Sequence, residues 1–174
     1  MINFLNKNFK FCPKCKTKLD PKSNFVSCNN CDFIYYQNPA PCTTLLFYKE
    51  GKVLLSRRAI EPKKDYWDLI GGFISNGETA ETSALREAKE ETNLDARVVK
   101  YLGSLPDVYG DTLLQTIIFI YHVEALNSDY KSMKAQDDVA ELKWFDLENI
   151  PKELAFTHVS TAIEMLKTSL KIKS

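Results

Sequence analysis

Residues Gly72 to Leu94 read GFISNGETAETSALREAKEETNL, a pattern of G-x5-E-x7-R-E-x-x-E-E-x-N-L. At 3.6 residues per turn Glu87, Glu90 and Glu91 fall at i, i+3 and i+4, so three carboxylates crowd one side of one helix. Like charges at that spacing repel. A hard, oxygen-preferring divalent ion such as Mg²⁺ or Mn²⁺ is the natural cation to sit among them. An E-x-x-E-E run alone is also a common solvated face, and the flanks separate the two readings. Gly71 and Gly72 follow the apolar run Trp67-Asp68-Leu69-Ile70, which reads as a strand end. Two glycines there let a carbonyl or a phosphate approach closely. Ser75-Asn76-Gly77 continues the loop, and Thr79 is the expected N-cap. Ala80, Ala84 and Ala88, with Leu85, are the expected buried stripe. Arg86 on the helix and Glu78 just before it are expected to pair and pin the loop. Asn93 falls where a helix needs a left-handed cap.

This segment resembles the signature of the Nudix hydrolases, G-x5-E-x7-R-E-U-x-E-E-x-G-U, with U a bulky aliphatic. Gly72, Glu78, Arg86, Glu87, Glu90, Glu91 and Leu94 match. Ala88 replaces a larger aliphatic, Asn93 replaces glycine, and Ile70 replaces the proline that often precedes the two glycines. None of these changes a carboxylate.

At the N-terminal end, Cys12-x2-Cys15 and Cys28-x2-Cys31 are separated by twelve residues. Two such knuckles read as a four-thiolate Zn²⁺ site, closed and therefore structural. A redox reading of C-x-x-C needs a βαβ context that the sequence lacks. With no leader sequence or long apolar run in view, a cytoplasmic protein with reduced thiols is expected, with no membrane partner. The fifth cysteine, Cys42, opens an apolar strand and reads as a buried small hydrophobe.

The 23 basic and 23 acidic residues cancel. That balance argues against a general nucleic-acid or anionic-membrane binder. Lysines do concentrate before Cys31 (Lys7, Lys10, Lys14, Lys16, Lys18 and Lys22), where a solubilising surface is the simpler reading than a ligand-binding patch. Residues 1–35 read as a tail and zinc ribbon, too small to build a core without a metal staple. Residues 36–174 read as the hydrolase body, with Tyr36 to Pro41 as a stiff linker.

Within that body, Thr43–Tyr48 and Val53–Ser56 read as a hairpin around Glu50-Gly51-Lys52. Val98–Leu102, Leu113–Ala125 and Val139–Phe145 read as strands, the last with Ala140, Leu142 and Trp144 alternating against Val139, Glu141 and Lys143. Thr157–Leu170 reads as a closing amphipathic helix, with Val159, Ile163, Leu166 and Leu170 on one stripe. This mixture predicts an α/β (α+β) fold. The resemblance implies a Nudix-type α/β/α sandwich with a mixed sheet, preceded here by the small zinc ribbon.

A diphosphate resists hydroxide until its charge is neutralised and a water is positioned and acidified. Glu87, Glu90 and Glu91 are the expected Mg²⁺ or Mn²⁺ ligands. The resemblance implies a further ligand from the Gly71 carbonyl, and a base that is either a signature glutamate or a later carboxylate. Asp137, Asp138 and Glu141 are the late candidates, Asp138 first. Arg57 and Arg58 end a strand, and one of them is expected to face the cleft and clamp a phosphate. Tyr109, with Asp107 and Asp111 in the loop expected after Leu105-Pro106, is a candidate to stack on a base. His122 reads as a satisfied core histidine. His158 opens the last helix, where a capping role is the first reading.

The ribbon-then-body arrangement, joined by Tyr35-Tyr36-Gln37-Asn38-Pro39, is similar to NADH pyrophosphatases and related ADP-ribose or FAD pyrophosphatases. Those for NADH carry Ser-Gln-Pro-Trp-Pro-Phe-Pro after the signature, where this chain reads Gly103-Ser104-Leu105-Pro106-Asp107-Val108-Tyr109. ADP-ribose or another dinucleotide-like diphosphate therefore moves ahead of NADH. The expected activity is metal-dependent hydrolysis of the pyrophosphate bond of such a small-molecule nucleotide diphosphate, releasing a nucleoside monophosphate. The alternatives are hydrolysis of damaged nucleoside triphosphates, hydrolysis of nucleotide-capped RNA, and a non-enzymatic nucleotide-sensing module. The resemblance also implies a homodimer.

Overall fold

The computed structural model describes residues 9–19, 25–36, 38–112, 114–126 and 129–171. The chain divides into two compact units, one ending at Pro39 and one beginning at Ala40. In the first, β1 (Phe25–Ser27) and β2 (Ile34–Tyr36) pair antiparallel, with Val26 opposite Tyr35. Cys12, Leu19, Val26 and Cys28 are buried there, and Phe9, Phe33 and Tyr35 pack against them. Cysteine sulfur thus supplies part of a core too small for aliphatic side chains alone.

The second unit is built around β3 (Ala40–Lys49), β4 (Lys52–Arg58), β5 (Trp67–Asp68), β6 (Ala96–Val108), β7 (Gln115–Ala125) and β8 (Val139–Asp146), with helices α1 (Ala80–Thr92) and α2 (Thr157–Lys171). Among the described residues these six strands form one mixed sheet, in the order β5-β4-β3-β7-β6 with β8 on β4. β3 and β7 run parallel, and the other pairs are antiparallel. Strand periodicity separates two layers. Leu45, Phe47, Leu54 and Tyr121 pack with Ala84 and Ala88 of α1. Leu46, Val53, Leu55 and Ile120 pack with Val159, Ala162, Ile163 and Leu166 of α2. The result is the expected sandwich, one helix on each face.

The turn at Glu50 and Gly51 has positive φ at both residues, and Lys49 pairs with Lys52 across it. β4 then leaves β3, pairing with it only at Tyr48 and Lys49. The freed edge of β3 takes up the loop after β5. Leu45 N–H donates to the Ile70 carbonyl, Thr43 N–H to the Gly72 carbonyl, and Ile74 N–H to the Pro41 carbonyl, at 2.8, 2.8 and 3.0 Å. A strand edge thereby carries the loop that leads to α1.

Helix α1 starts and stops where local chemistry says it should. Thr79 caps it reciprocally with Thr82, and Asn93 sits at φ 60° as the left-handed cap. Asn93 also does what glycine cannot, donating from its side chain to the Ser132 carbonyl at 3.0 Å. Ala88 is fully buried against the sheet, where a larger aliphatic would need more room. Leu85 is only half-buried; Ser83, Glu87 and Glu91 share the inward face with Ala84 and Ala88 instead.

Three elements differ from the sequence reading. β3 begins at Ala40, so the expected linker is partly strand. β6 runs through Pro106 to Val108, which places Asp107 on a strand rather than in a loop. β6 ends the strand order, and an edge strand tolerates proline. In β8, Val139 is buried and Ala140 exposed, reversing the expected alternation at that end. The cause is a register shift: Arg57 pairs with Glu141 and Arg58 with Val139, so Ala140 is passed over. The expected strand residue Leu113 lies outside the described residues. No helix among the described residues is long and apolar enough to cross a membrane.

Candidate active site

Glu87 and Glu91 are 8% and 9% exposed, yet both line an open cleft of about 290 Å³. Burial pushes the Glu91 carboxyl well above the usual carboxylate range. The Gly71 N–H, donating to Glu91 Oε2 at 3.1 Å, only partly opposes this. Burial also raises Glu87, against the nearby Arg86 guanidinium. Glu90 lies at the more exposed edge of the same cleft. Gly72 faces Glu87 so closely that a Cβ there would collide with Oε1. Gly71 has φ 149°, and its Cβ would strike the Thr43 carbonyl. Gly71 therefore demands glycine, whereas at Gly72 a side chain would have to push the Glu87 carboxylate aside.

Arg86 is the hub of this helix face. Its Nε and Nη2 hold the two Glu78 oxygens at 2.6 and 3.0 Å, and its Nη1 reaches Glu87 and Glu90 at 2.8 and 2.7 Å. Nη2 also donates to the Phe73 carbonyl at 3.1 Å. Hydrogen bonds from Arg86, then from the Ser75 N–H, hold the Glu78 carboxyl down to about 2. The charge-assisted fork ties loop to helix as the sequence implied.

The late acids arrive by main-chain bonding. Lys134 N–H donates to the Thr92 carbonyl at 2.9 Å and Gln136 N–H to the Glu91 carbonyl at 3.2 Å. This fastens the segment before β8 to the C-terminal end of α1. Asp137, at φ 52°, and Asp138 then line the cleft beside Glu87 and Glu91. Glu141 does not; it stands on β8, 3.8 Å from Arg57. Arg57 accordingly lies outside the cleft. Arg58 lines it, but its guanidinium is committed to Asp68 Oδ2 at 3.1 Å, to the Pro62 carbonyl at 2.7 Å and to the Phe156 ring face.

A narrower pocket of about 70 Å³ adjoins the cleft, sharing Arg58, Asp68, Gly71, Gly72, Phe73 and Tyr109 with it. Tyr109 stacks on Phe156, which stacks on His158, with centroids 5.7 Å apart in each pair. Phe73 meets Tyr109 edge-on. His158 does more than open α2: its Nδ1 lies 2.8 Å from Asp107 Oδ2. Cys42 is only partly buried and lines this pocket, where burial pushes its thiol up to about 12. His122 is buried on β7, as expected of a core histidine.

Sequence reasoning did not single out Asp68, Phe73, Phe156 or the Asp107–His158 pair. Asp68 had a signal, a lone carboxylate inside an apolar run. It is buried with its carboxyl raised by desolvation, against the nearby Arg58 guanidinium.

In the first unit the four cysteine sulfurs all lie within 4.8 Å of one another. Cys12 and Cys31 are 3.7 Å apart, and Cys15 and Cys28 3.5 Å. A tetrahedron with metal–sulfur bonds of about 2.3 Å has edges of about 3.8 Å, so the cluster has the size of a tetrathiolate site. Cys12 N–H donates to the Thr17 carbonyl and Cys28 N–H to the Phe33 carbonyl, which closes the two knuckles.

Comparison with known proteins places this geometry. The chain is 28% identical over 149 residues to the NAD-capped RNA hydrolase NudC of Vibrio vulnificus, covering 84% of this chain and 54% of that protein. It is 37% identical over 123 residues to the ADP-ribose pyrophosphatase of Methanocaldococcus jannaschii, covering 71% and 70%. The crystal structure of a NUDIX hydrolase from Nitrosomonas europaea superposes with a TM-score of 0.73 at 25% identity, covering 88% of each chain. The chain spans about half the length of the NudC relatives it matches. Residues 38–167 match the NUDIX domain, and the chain belongs to that family.

Proposed function

We propose that this chain is a metal-dependent pyrophosphohydrolase. It cleaves between the two phosphates of a nucleoside diphosphate linked to another moiety, ADP-ribose first and NADH second, and releases a nucleoside monophosphate. The observation that carries this is the pair of buried carboxylates, Glu87 and Glu91, at the floor of an open cleft. Carboxylates are not left buried at that cost unless a cation or a proton shares them. The donor set fits a hard divalent ion: oxygen ligands, and a Cβ-free cradle at Gly72 beside Glu87.

Glu87, Glu90, Glu91 and the Gly71 carbonyl would hold Mg²⁺ or Mn²⁺. A divalent ion bound there neutralises diphosphate oxygens and lowers the pKa of an attacking water. The protein's own groups do the rest. Arg86 and Glu78 hold the loop of Gly72 and Phe73 against α1. Asp138 takes the proton of the attacking water. Arg58 fixes Asp68 in the wall and leaves an edge to the substrate phosphates, and Tyr109 offers a face to the base. In the N-terminal unit Cys12, Cys15, Cys28 and Cys31 hold Zn²⁺ as a closed structural site, so residues 1–35 act as a ribbon ahead of a hydrolase domain over 36–174. The protein acts in the cytoplasm as a homodimer.

The test is turnover of ADP-ribose, NADH, NAD⁺, FAD, diadenosine polyphosphates and nucleoside triphosphates with Mg²⁺ and with Mn²⁺, products separated by chromatography. AMP from ADP-ribose is the expected result. Activity confined to triphosphates, or tight binding with no turnover, overturns it. One second reading has its own support. The likeness to NAD-capped RNA hydrolases, with exposed Phe11 and Tyr36 and lysines in the first unit, favours removal of a nucleotide cap from RNA. Salt-sensitive RNA binding lost on replacing Lys10, Lys16 and Lys18 would mark that substrate.

A further inference from the structure

The Asp107–His158 pair is not needed for the chemistry just described, yet it is built with care. Asp107 Oδ1 accepts from the Val108 N–H at 2.7 Å and the Thr157 hydroxyl at 3.1 Å. Its Oδ2 accepts from the His158 N–H at 3.2 Å and lies 2.8 Å from His158 Nδ1. Burial alone would push the Asp107 carboxyl up, but these hydrogen bonds hold it below the usual range. An ionised carboxylate only accepts, so Nδ1 carries the hydrogen, and in the uncharged ring that tautomer leaves the lone pair on Nε2. The nearest partner of Nε2 is the Thr44 hydroxyl at 3.4 Å, the outer limit of hydrogen bonding. His158 and Thr44 both line the narrow pocket.

The rest of that pocket is suited to a flat ring. Phe73, Tyr109 and Phe156 contribute aromatic surface, and Leu69 and Ile118 aliphatic surface. Aromatic and aliphatic walls, with His158, Thr44 and the Arg58–Asp68 pair as the fixed polar groups, suit a nucleobase. We propose that His158, oriented by Asp107, reads the edge of the substrate's base and selects one that bears an exocyclic amino group. The amino group donates to Nε2, and a base with a carbonyl in its place meets an acceptor with an acceptor. This rests on the pyrophosphohydrolase reading and sharpens it to adenine-type nucleoside diphosphates. Asp107 is a positioning residue, acting only through the imidazole.

The minimal pair of ligands is ADP-ribose and IDP-ribose, which differ by amino against carbonyl at one ring position. Wild-type protein is expected to favour ADP-ribose by about tenfold or more in kcat/KM, since an unpaired buried polar edge is a strong discriminator. H158F should bring the ratio near one, with the loss carried by KM and not kcat. D107N keeps Oδ1 for the Val108 N–H and the Thr157 hydroxyl but turns an amide NH₂ toward Nδ1, so it no longer dictates the tautomer. It should lower the ratio, with a shift in the ¹⁵N resonances of His158, one of two histidines in the chain. Binding of both ligands is measured by calorimetry beside turnover. A tenfold binding preference without hydrolysis keeps the base reader and overturns the hydrolase reading. Equal kcat/KM for the two ligands in wild type, a ratio unmoved by H158F, or binding of neither ligand overturns the base reader.

Discussion

In the cysteine cluster four sulfurs stand within 4.8 Å of one another, whereas on helix α1 Arg86 Nη1 bridges two of the three carboxylates, Glu87 and Glu90. The first arrangement is held by main-chain turns, Cys12 N–H to Thr17 and Cys28 N–H to Phe33. The second keeps its carboxylates on an open cleft, with Arg86 on Glu87 and Glu90 and the Gly71 N–H on Glu91. A site meant to hold shape can satisfy itself. A site meant to turn over must leave part of its ligand demand unmet, at a cost in stability that the fold absorbs elsewhere.

The largest test of that contrast is E91Q. Turnover should fall by about 10³-fold, because a ligand carboxylate is lost. The melting temperature in metal-free buffer should hold or rise, because a buried charge is removed. Calorimetric scans beside kcat check both, and a near-normal rate would take Glu91 out of the metal site. G72A comes next. Its Cβ displaces Glu87 Oε1, so activity should drop about 10- to 100-fold, with weaker Mg²⁺ dependence read from a metal titration. C12S should act on the other unit. Zinc content falls and amide exchange in β1 and β2 loses protection, while turnover of ADP-ribose stays within about threefold. Full loss of activity with zinc retained would end the structural assignment.

The smallest effect concerns pH. Glu78 is held down to about 2 in the folded chain, first by Arg86, against about 4.3 unfolded. A group depressed on folding stabilises above its unfolded pKa and loses that contribution as pH falls through its folded pKa. The stability difference between wild type and E78Q should therefore be flat near neutrality and shrink between about pH 4.3 and pH 2. Urea melts across that window read it, and a constant difference would mean that Glu78 acts through packing and not through charge.

What was legible in the sequence is what local spacing determines. The helix, its Thr79 and Asn93 caps, the Arg86–Glu78 fork and the four-cysteine cluster all follow from residues within a few turns of one another. What was illegible needs contacts across the chain. Asp107 meets His158 only because β6 continues through Pro106 along an edge where a missing N–H costs little. The swapped faces at Val139 and Ala140 follow from a register shift opposite Arg57, and no property of β8 alone announces it. Arg57 and Arg58 are neighbours with opposite fates for the simplest reason, the two-residue period of a strand.

The fastening of the segment before β8 to the end of α1 sets a rule for anyone who would redesign the cleft. Positions 134 and 136 contribute N–H groups, to the Thr92 and Glu91 carbonyls, and those bonds ask nothing of the side chains. A combinatorial library over residues 134 to 136 can therefore admit nineteen amino acids at each of these two positions, with proline the one to withhold. Side chains can be exchanged there without breaking the main-chain bonds that bring Asp137 and Asp138 to the cleft, so the supply of late acids is insulated from drift in its own tether.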